Sequence, residues 1–119
     1  MGGVVVNTVV VMGRLTRSPE MSFTAGGKPV ARMRVAIPRQ AGDGAEFVDA
    51  VAYDALADAC STYLVRGRRV GVVGRLVHEE WDAADGGRRE RVVIVCRDVE
   101  FIDAPPAGAD KPAAVSAAA

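Results

Sequence analysis

The sequence predicts an all-β domain: five strands closed into a small barrel, with one short helix and one long β-hairpin. Three observations predict it. Valine-rich runs dominate the chain, and β-branched residues favour strands. Clusters of Gly, Pro and Asp punctuate those runs as turns. A single stretch, between the third and fourth runs, repeats its apolar residues at helical spacing. A length of 119 residues suits one such domain.

The first strand is read over Val4 to Leu15, "VVVNTVVVMGRL". Asn7 and Thr8 interrupt the apolar run and Arg14 ends it, far short of the roughly 18 residues of a membrane span. No basic start precedes the run and no small-residue cleavage site follows it, so a secretory signal is not expected. "SFTAGGKP" (Ser22 to Pro29) is read as a turn. "VARMRVAI" (Val30 to Ile37) alternates, with Ala31, Met33, Val35 and Ile37 on one face and Arg32 and Arg34 on the other, which predicts a half-buried second strand. After a polar loop from Pro38 to Glu46, "FVDAVAYD" (Phe47 to Asp54) is the third strand, with Phe47, Asp49, Val51 and Tyr53 sharing a face.

The helix follows. Asp54 is a candidate cap, Leu56, Ala59, Cys60, Tyr63 and Leu64 form the apolar stripe, and Gly67 stops it. "RRVGVVGRLVHEEW" (Arg68 to Trp81) is the fourth strand, "DAADGG" the hairpin loop, and "RRERVVIVCRDVEFI" (Arg88 to Ile102) the returning fifth. One helix between strands three and four of five is the layout of an OB barrel. Gly13, Gly71 and Gly74, inside strands, suit the bends that close a small barrel. The domain is expected to span residues 1–103. Residues 104–119, "APPAGADKPAAVSAAA", are rich in Ala and Pro without apolar pattern and are expected to be a disordered tail.

Composition narrows the function classes. Fifteen basic residues balance fifteen acidic ones, so attraction to a polyanion must come from local segregation of charge. Thirteen of the fifteen cations are arginine, which forks onto phosphate and stacks on bases; a biased coding composition gives the same excess. Cys60 and Cys96 lie too far apart for a metal pair, and reduced structural thiols are expected, with a bridge within or between subunits as the alternative. An enzyme is not expected. There is one histidine, His78, read as a solvated edge residue, and no Cys/His cluster, Ser-His-Asp set or phosphate-cradling glycine loop. Glu79 and Glu80 are adjacent, so on a strand they face opposite ways. No catalytic residue, metal site or cofactor is assigned.

The motifs together resemble the bacterial single-stranded DNA-binding protein family. "NTVVVMGRLTRSPE" is similar to the family's opening: Asn, an apolar strand, Gly-x-Leu and x-x-Pro-Glu, here Asn7, Gly13, Leu15, Pro19 and Glu20. "GGKPVARMRVAI" resembles its second strand. "EFVDAVAYDALADACSTYLVRGRRVGVVGRL" resembles its aromatic strand, its helix ending in Tyr-Leu-x-x-Gly and its Val-x-Val-x-Gly-x-Leu strand. "EEWDAADGGRRERVVIVCRDVEFI" resembles its final hairpin. The likeness covers about residues 4 to 102, with five motifs in order.

The resemblance implies sequence-independent binding of single-stranded DNA, with bases stacked on aromatic rings and the backbone tracked by cations. The family's stacking aromatics match Phe47, Tyr53 and Trp81; Phe23, Phe101 and Tyr63 are assigned to packing. Candidate phosphate contacts are Arg32 and Arg34 as a pair, Arg66 before the helix-stopping glycine, Arg14 and Arg75 within strand motifs, and Arg88 and Arg89, with Arg91, on the hairpin. The chain departs from the pattern at Pro38 to Gln40, where an aromatic is common, and at Asp49, Glu79 and Glu80, where carboxylates stand near the expected DNA path. Fewer displaced counterions and a weaker salt dependence are expected. The ending "VSAAA" lacks the family's acidic, aromatic-tipped terminus, which implies an accessory paralogue with reduced recruitment of replication and repair enzymes. Further expectations are a homotetramer built as a dimer of dimers and a cytoplasmic, nucleoid-associated place in replication, recombination, repair, DNA uptake or chromosome segregation. The alternatives are an OB module for protein partners and an RNA binder.

Overall fold

A computed structural model describes residue 3, residues 5–102 and the backbone of residues 114–116. Seven strands and one helix follow in order: β1 (Val9–Leu15), β2 (Glu20–Phe23), β3 (Pro29–Pro38), β4 (Ala45–Tyr53), α1 (Asp54–Tyr63), β5 (Arg69–Asp82), β6 (Arg88–Phe101) and β7 (Ala114–Ser116).

Five strands form a closed ring. β1 pairs with β5, β5 with β6, β6 with β4, and β4 with β3. β3 returns to β1 through Arg14↔Ala36 and Leu15↔Val35. The β4–β6 contact is parallel and every other one in the ring is antiparallel. This is the OB arrangement that the element order predicts.

Alternation fills the barrel. Leu15, Ala31, Met33, Val35, Ala50, Ala52, Val70, Val72, Ile94, Cys96, Val99 and Phe101 turn inward. Helix α1 closes one end with Leu56, Ala57 and Cys60, and Leu64 follows them into the core. Tyr63 packs on Phe101 with ring centroids 5.8 Å apart, as expected for both. No polar or charged side chain is buried among the described residues.

Closure needs two glycines. A Cβ on Gly13 would collide with the Ala36 carbonyl where β1 passes from β5 to β3. A Cβ on Gly74 would collide with the Val95 carbonyl, at the bulge where the β5–β6 register shifts. Gly71 differs, since its added Cβ meets only side-chain atoms of Glu100 and Ile102, the nearest being Glu100 Cβ at an ordinary 3.4 Å.

The structure corrects several local expectations. The first strand begins at Val9, not Val4, because its partner β5 pairs with it no further than Val9↔Gly74. The stretch read as a turn from Ser22 to Pro29 holds the end of β2, which occupies the edge of β3 over Pro29–Arg32 that β1 leaves open. The turn itself is tighter, with Gly27 at φ 84 and its N–H donated to the Thr24 carbonyl. Asp54 does not cap the helix. It is the first helical residue, at φ 58, Tyr53 precedes it, and no side chain caps the end. Phe23, assigned to packing, is 69% exposed, on an edge strand with no further strand beyond it among the described residues.

Both cysteines are free and buried, so no bridge joins them within the chain. Of the tail expected to be disordered, Ala114–Ser116 pairs antiparallel with Asp98–Glu100 of β6. The rest of that expectation, and the terminus on which the reading of partner recruitment rests, lie outside the described residues.

Candidate nucleic-acid interface

The outer face of β3, β4, β6 and β5 carries most of the candidate residues. Strand register arranges it in rows. One row runs Arg32, Val51, Val95, Arg75 and the next Arg34, Asp49, Val93, Val77. Beyond them Glu79 faces Arg91, and Trp81 faces Arg89. At the other edge, Arg14, Ala36 and Phe47 are register neighbours across β1, β3 and β4.

Outer faces of small barrels are normally wet, yet part of this one is dry. Val51 and Val93 are 1% and 0% exposed, and with Val30 they form a second apolar cluster that also packs Tyr53, Val77 and Val95. The cover is polar. Arg32 forks onto Glu79, with Nη1 and Nη2 donating to Oε1 and Oε2 at 3.3 and 3.4 Å. These residues sit on β3 and β5, with β4 and β6 between them, so the pair requires the long hairpin to curl over the outer face. Arg91 Nε donates to the same Glu79 Oε1 at 3.0 Å. An open depression remains, lined by Arg32, Glu79, Arg91, Trp81, His78 and Glu80. Burial alone would raise the Glu79 carboxyl, but hydrogen bonds from Arg32 and Arg91, and then their charges, hold it below the usual carboxylate range.

The three nominated aromatics divide. Phe47 and Trp81 stand out from the surface, 54% and 39% exposed. Each carries a guanidinium: Arg34 lies 5.2 Å from the Phe47 centroid and Arg91 lies 4.8 Å from that of Trp81. Tyr53 is half-buried and packs on the valine cluster, so it serves the sheet as well as its surface.

The arginines divide as well. Arg32, Arg34, Arg75 and Arg89 belong to the outer face, Arg34 being 3.8 Å from Asp49 and Arg89 2.7 Å from Asp85. Arg14 donates to the Gly67 carbonyl, beside Arg66, whose N–H is donated to Ser18 Oγ; these two mark the corner between β1 and α1. Arg88 is not brought to the site. Alternation turns it to the opposite side of the hairpin, where it pairs with Glu80 and Asp82.

His78, Glu80 and Glu90 share that opposite side, exposed, with ligand-type atoms within 4.8 Å of one another, and nothing else marks them as a metal centre. Sequence reasoning missed the joint role of Glu79 and Arg91. The available signal was Glu79-x-Trp81, since a two-residue step on a strand puts a carboxylate and a ring on one side. No helix among the described residues is long and apolar enough to cross a membrane.

Comparison with known proteins bears on the family and the fold. The signature of the single-strand binding protein family matches residues 6–102. The single-stranded DNA-binding protein of Clostridium perfringens is 37% identical over 105 residues, covering 87% of this chain and 70% of that protein. Single-stranded DNA-binding protein 3 of Clostridium acetobutylicum is 36% identical over 102 residues, covering 82% and 71%. The single-stranded DNA-binding protein of Thermotoga maritima is 34% identical over 108 residues, covering 85% and 77%. A solved Plasmodium falciparum SSB complex with ssDNA shares the fold with a TM-score of 0.76 at 24% identity, covering 87% of this chain and 100% of the other.

Proposed function

This chain belongs to the single-strand binding protein family, and on that premise we propose that it binds single-stranded DNA without sequence preference, as a binding protein and not an enzyme. Bases stack on Phe47 and Trp81, with Tyr53 at the margin, and Arg32, Arg34, Arg75 and Arg89 follow the backbone across the same face. Arg14 and Arg66 extend the path around the β1 corner. The observation that carries the reading is the pair of exposed rings, Phe47 and Trp81, on one arginine-bearing sheet face. Stacking platforms of this kind accept any base, because every base has a π face. The role is that of a protector of transient single strands in replication, recombination or repair, in the cytoplasm at the nucleoid.

Assembly as a homotetramer, a dimer of dimers, is part of the proposal. Val10 and Met12 on β1 are 70% and 59% exposed, a surface that suits a second copy. A monomer in sedimentation at micromolar concentration would remove this part.

The carboxylates on the same face favour a second reading, an OB module for protein partners. One titration separates the two, using Trp81, the single tryptophan. Quenching of its fluorescence by oligo-dT and not by duplex DNA of equal length is expected. No quenching and no gel shift with either would remove the DNA reading in favour of protein partners; preference for an RNA oligomer would move the substrate to RNA.

A further inference from the structure

Two clusters on the outer face share one plan. Arg34 lies over Phe47, and Asp49 holds that arginine at 3.8 Å. Arg91 lies over Trp81, and Glu79 holds that arginine at 3.0 Å. In both cases neighbouring strands supply a ring, a guanidinium on the ring and a carboxylate on the guanidinium: β4 with β3 in the first, β5 with β6 in the second. One π face of each ring is thus covered by a guanidinium for which an arriving base must compete.

Resting on the reading of a single-stranded DNA site, we propose that Asp49 and Glu79 are gate residues, which hold Arg34 and Arg91 over Phe47 and Trp81 in the DNA-free protein and which an arriving strand must displace. Two competitions are linked. A base and a guanidinium compete for one ring face. A phosphate and a carboxylate compete for one guanidinium. A nucleotide brings both competitors together: its base takes the ring, and its phosphate takes the arginine that the base has pushed aside. The number of ion pairs is conserved in that exchange, so binding gains only the difference between them. The carboxylate left behind then faces the strand with like charge. The gates therefore lower affinity, speed release and flatten the salt dependence.

They differ in strength. Glu79 holds two arginines, Arg32 as well as Arg91, at 3.3 and 3.0 Å, and its side chain is 24% exposed. Asp49 holds one, more loosely, at 3.8 Å. The hydrogen bonds and charges of Arg32 and Arg91 also hold the Glu79 carboxyl below the ordinary range. Glu79 is the stronger gate.

The test titrates wild type, Asp49→Asn, Glu79→Gln and the double variant with oligo-dT of one length, at several salt concentrations, with dissociation followed by stopped flow. Tighter binding is expected in each variant, about twofold to fivefold for Asp49→Asn and about fivefold or more for Glu79→Gln, chiefly through slower release. The slope of log K against log salt steepens by about 0.7 for Asp49→Asn and by up to about 1.4 for Glu79→Gln, one single-strand phosphate per freed arginine. Weaker binding would overturn the proposal, since the carboxylates would then be aiming the arginines at DNA. Unchanged affinity with unchanged slope would also overturn it. Absence of binding by wild type and all variants removes the DNA reading and the gate with it, whereas binding by the variants alone supports the gate. Asp49→Asn, on the more exposed pair, carries the test if Glu79→Gln disturbs the hairpin.

Discussion

Asn7 is tied to the backbone of Leu76 by a matched pair of hydrogen bonds: its Nδ2 donates to the Leu76 carbonyl and its Oδ1 accepts from the Leu76 N–H, both at 2.9 Å. The side-chain amide thus imitates one more ladder rung where the β1–β5 pairing ends at Val9↔Gly74. This explains an asparagine in an otherwise valine-rich run. Leu76 lies just past the Gly74 bulge, so the pair fixes the point at which the hairpin leaves the barrel.

Asn7→Ala should therefore lower stability by about 1 kcal/mol, because the lost bonds are exposed and water replaces part of them. A fall in Tm of roughly 4–8 °C is expected for a domain of this size. Asn7→Asp retains the acceptor alone and should fall between. Equal melting of wild type and Asn7→Ala would show the pair to be incidental.

The two bend glycines give a sharper contrast. Gly13→Ala and Gly74→Ala each place a methyl against a backbone carbonyl, of Ala36 and Val95, and neither carbonyl can swing away as a side chain would. Each should destabilise by about 1–3 kcal/mol or more. Gly71→Ala meets only the side chains of Glu100 and Ile102 at contact distance and should change stability by about 0.5 kcal/mol or less. Chemical denaturation of the three variants checks the order; a Gly71 variant as damaged as the others would mean that contacts at the seam are not the cause.

Much of this fold was legible because it is written locally. Ala31, Met33 and Val35 alternate with Arg32 and Arg34, and the structure buries the first set and turns the second outward. What stayed illegible depends on partners distant in sequence. Val30, Val51 and Val93 belong to strand faces that alternation marks as outer, yet they are buried as a second cluster, on a face that Arg32 and Glu79 bridge from 47 residues apart. Phe23 is read inward by its type and stands exposed on β2, an edge strand among those described. At the candidate site, strand parity brought Phe47, Tyr53, Arg32 and Arg34 to one side. The guanidinium over each ring and the carboxylate beside it follow from side-chain reach across strands, which no spacing encodes.

Exposure separates the three aromatics in a way that mutation should reveal. Phe47→Ala and Trp81→Ala should each weaken oligo-dT binding by about 1–3 kcal/mol, with stability within about 0.5 kcal/mol of wild type. Tyr53→Ala should lose stability as well, up to about 3 kcal/mol, since its ring rests on Val30, Val51 and Val93. Tyr53→Phe keeps that packing and isolates any contribution of the hydroxyl to binding. Binding titrations paired with thermal melts decide the matter. Full affinity in both Phe47→Ala and Trp81→Ala would move the platform elsewhere.

The cysteines give a prediction with a definite pH window. Burial pushes the Cys60 thiol up to about 12, and the charge of nearby Cys96 adds to it. Burial pushes Cys96 up to about 12 as well, against an opposing backbone hydrogen bond involving Val51. The folded state thus favours the neutral thiol, while the unfolded chain ionises above about pH 8.5. Below that pH the two states bind the same thiol protons and these groups give no pH dependence. As pH rises from about 8.5 toward the folded value, the unfolded state gains by ionising, and stability should fall by an amount on the order of 1–2 kcal/mol per thiol at pH 10. Replacing both cysteines with alanine should flatten that alkaline limb, even if the two cavities lower stability at every pH. The same burial predicts slow labelling by a thiol reagent at pH 8 in the native state, fast labelling of both thiols in denaturant, and no dimer band on a non-reducing gel. Rapid native labelling would show that the domain opens around α1 and β6, and that these thiols are within reach of oxidants.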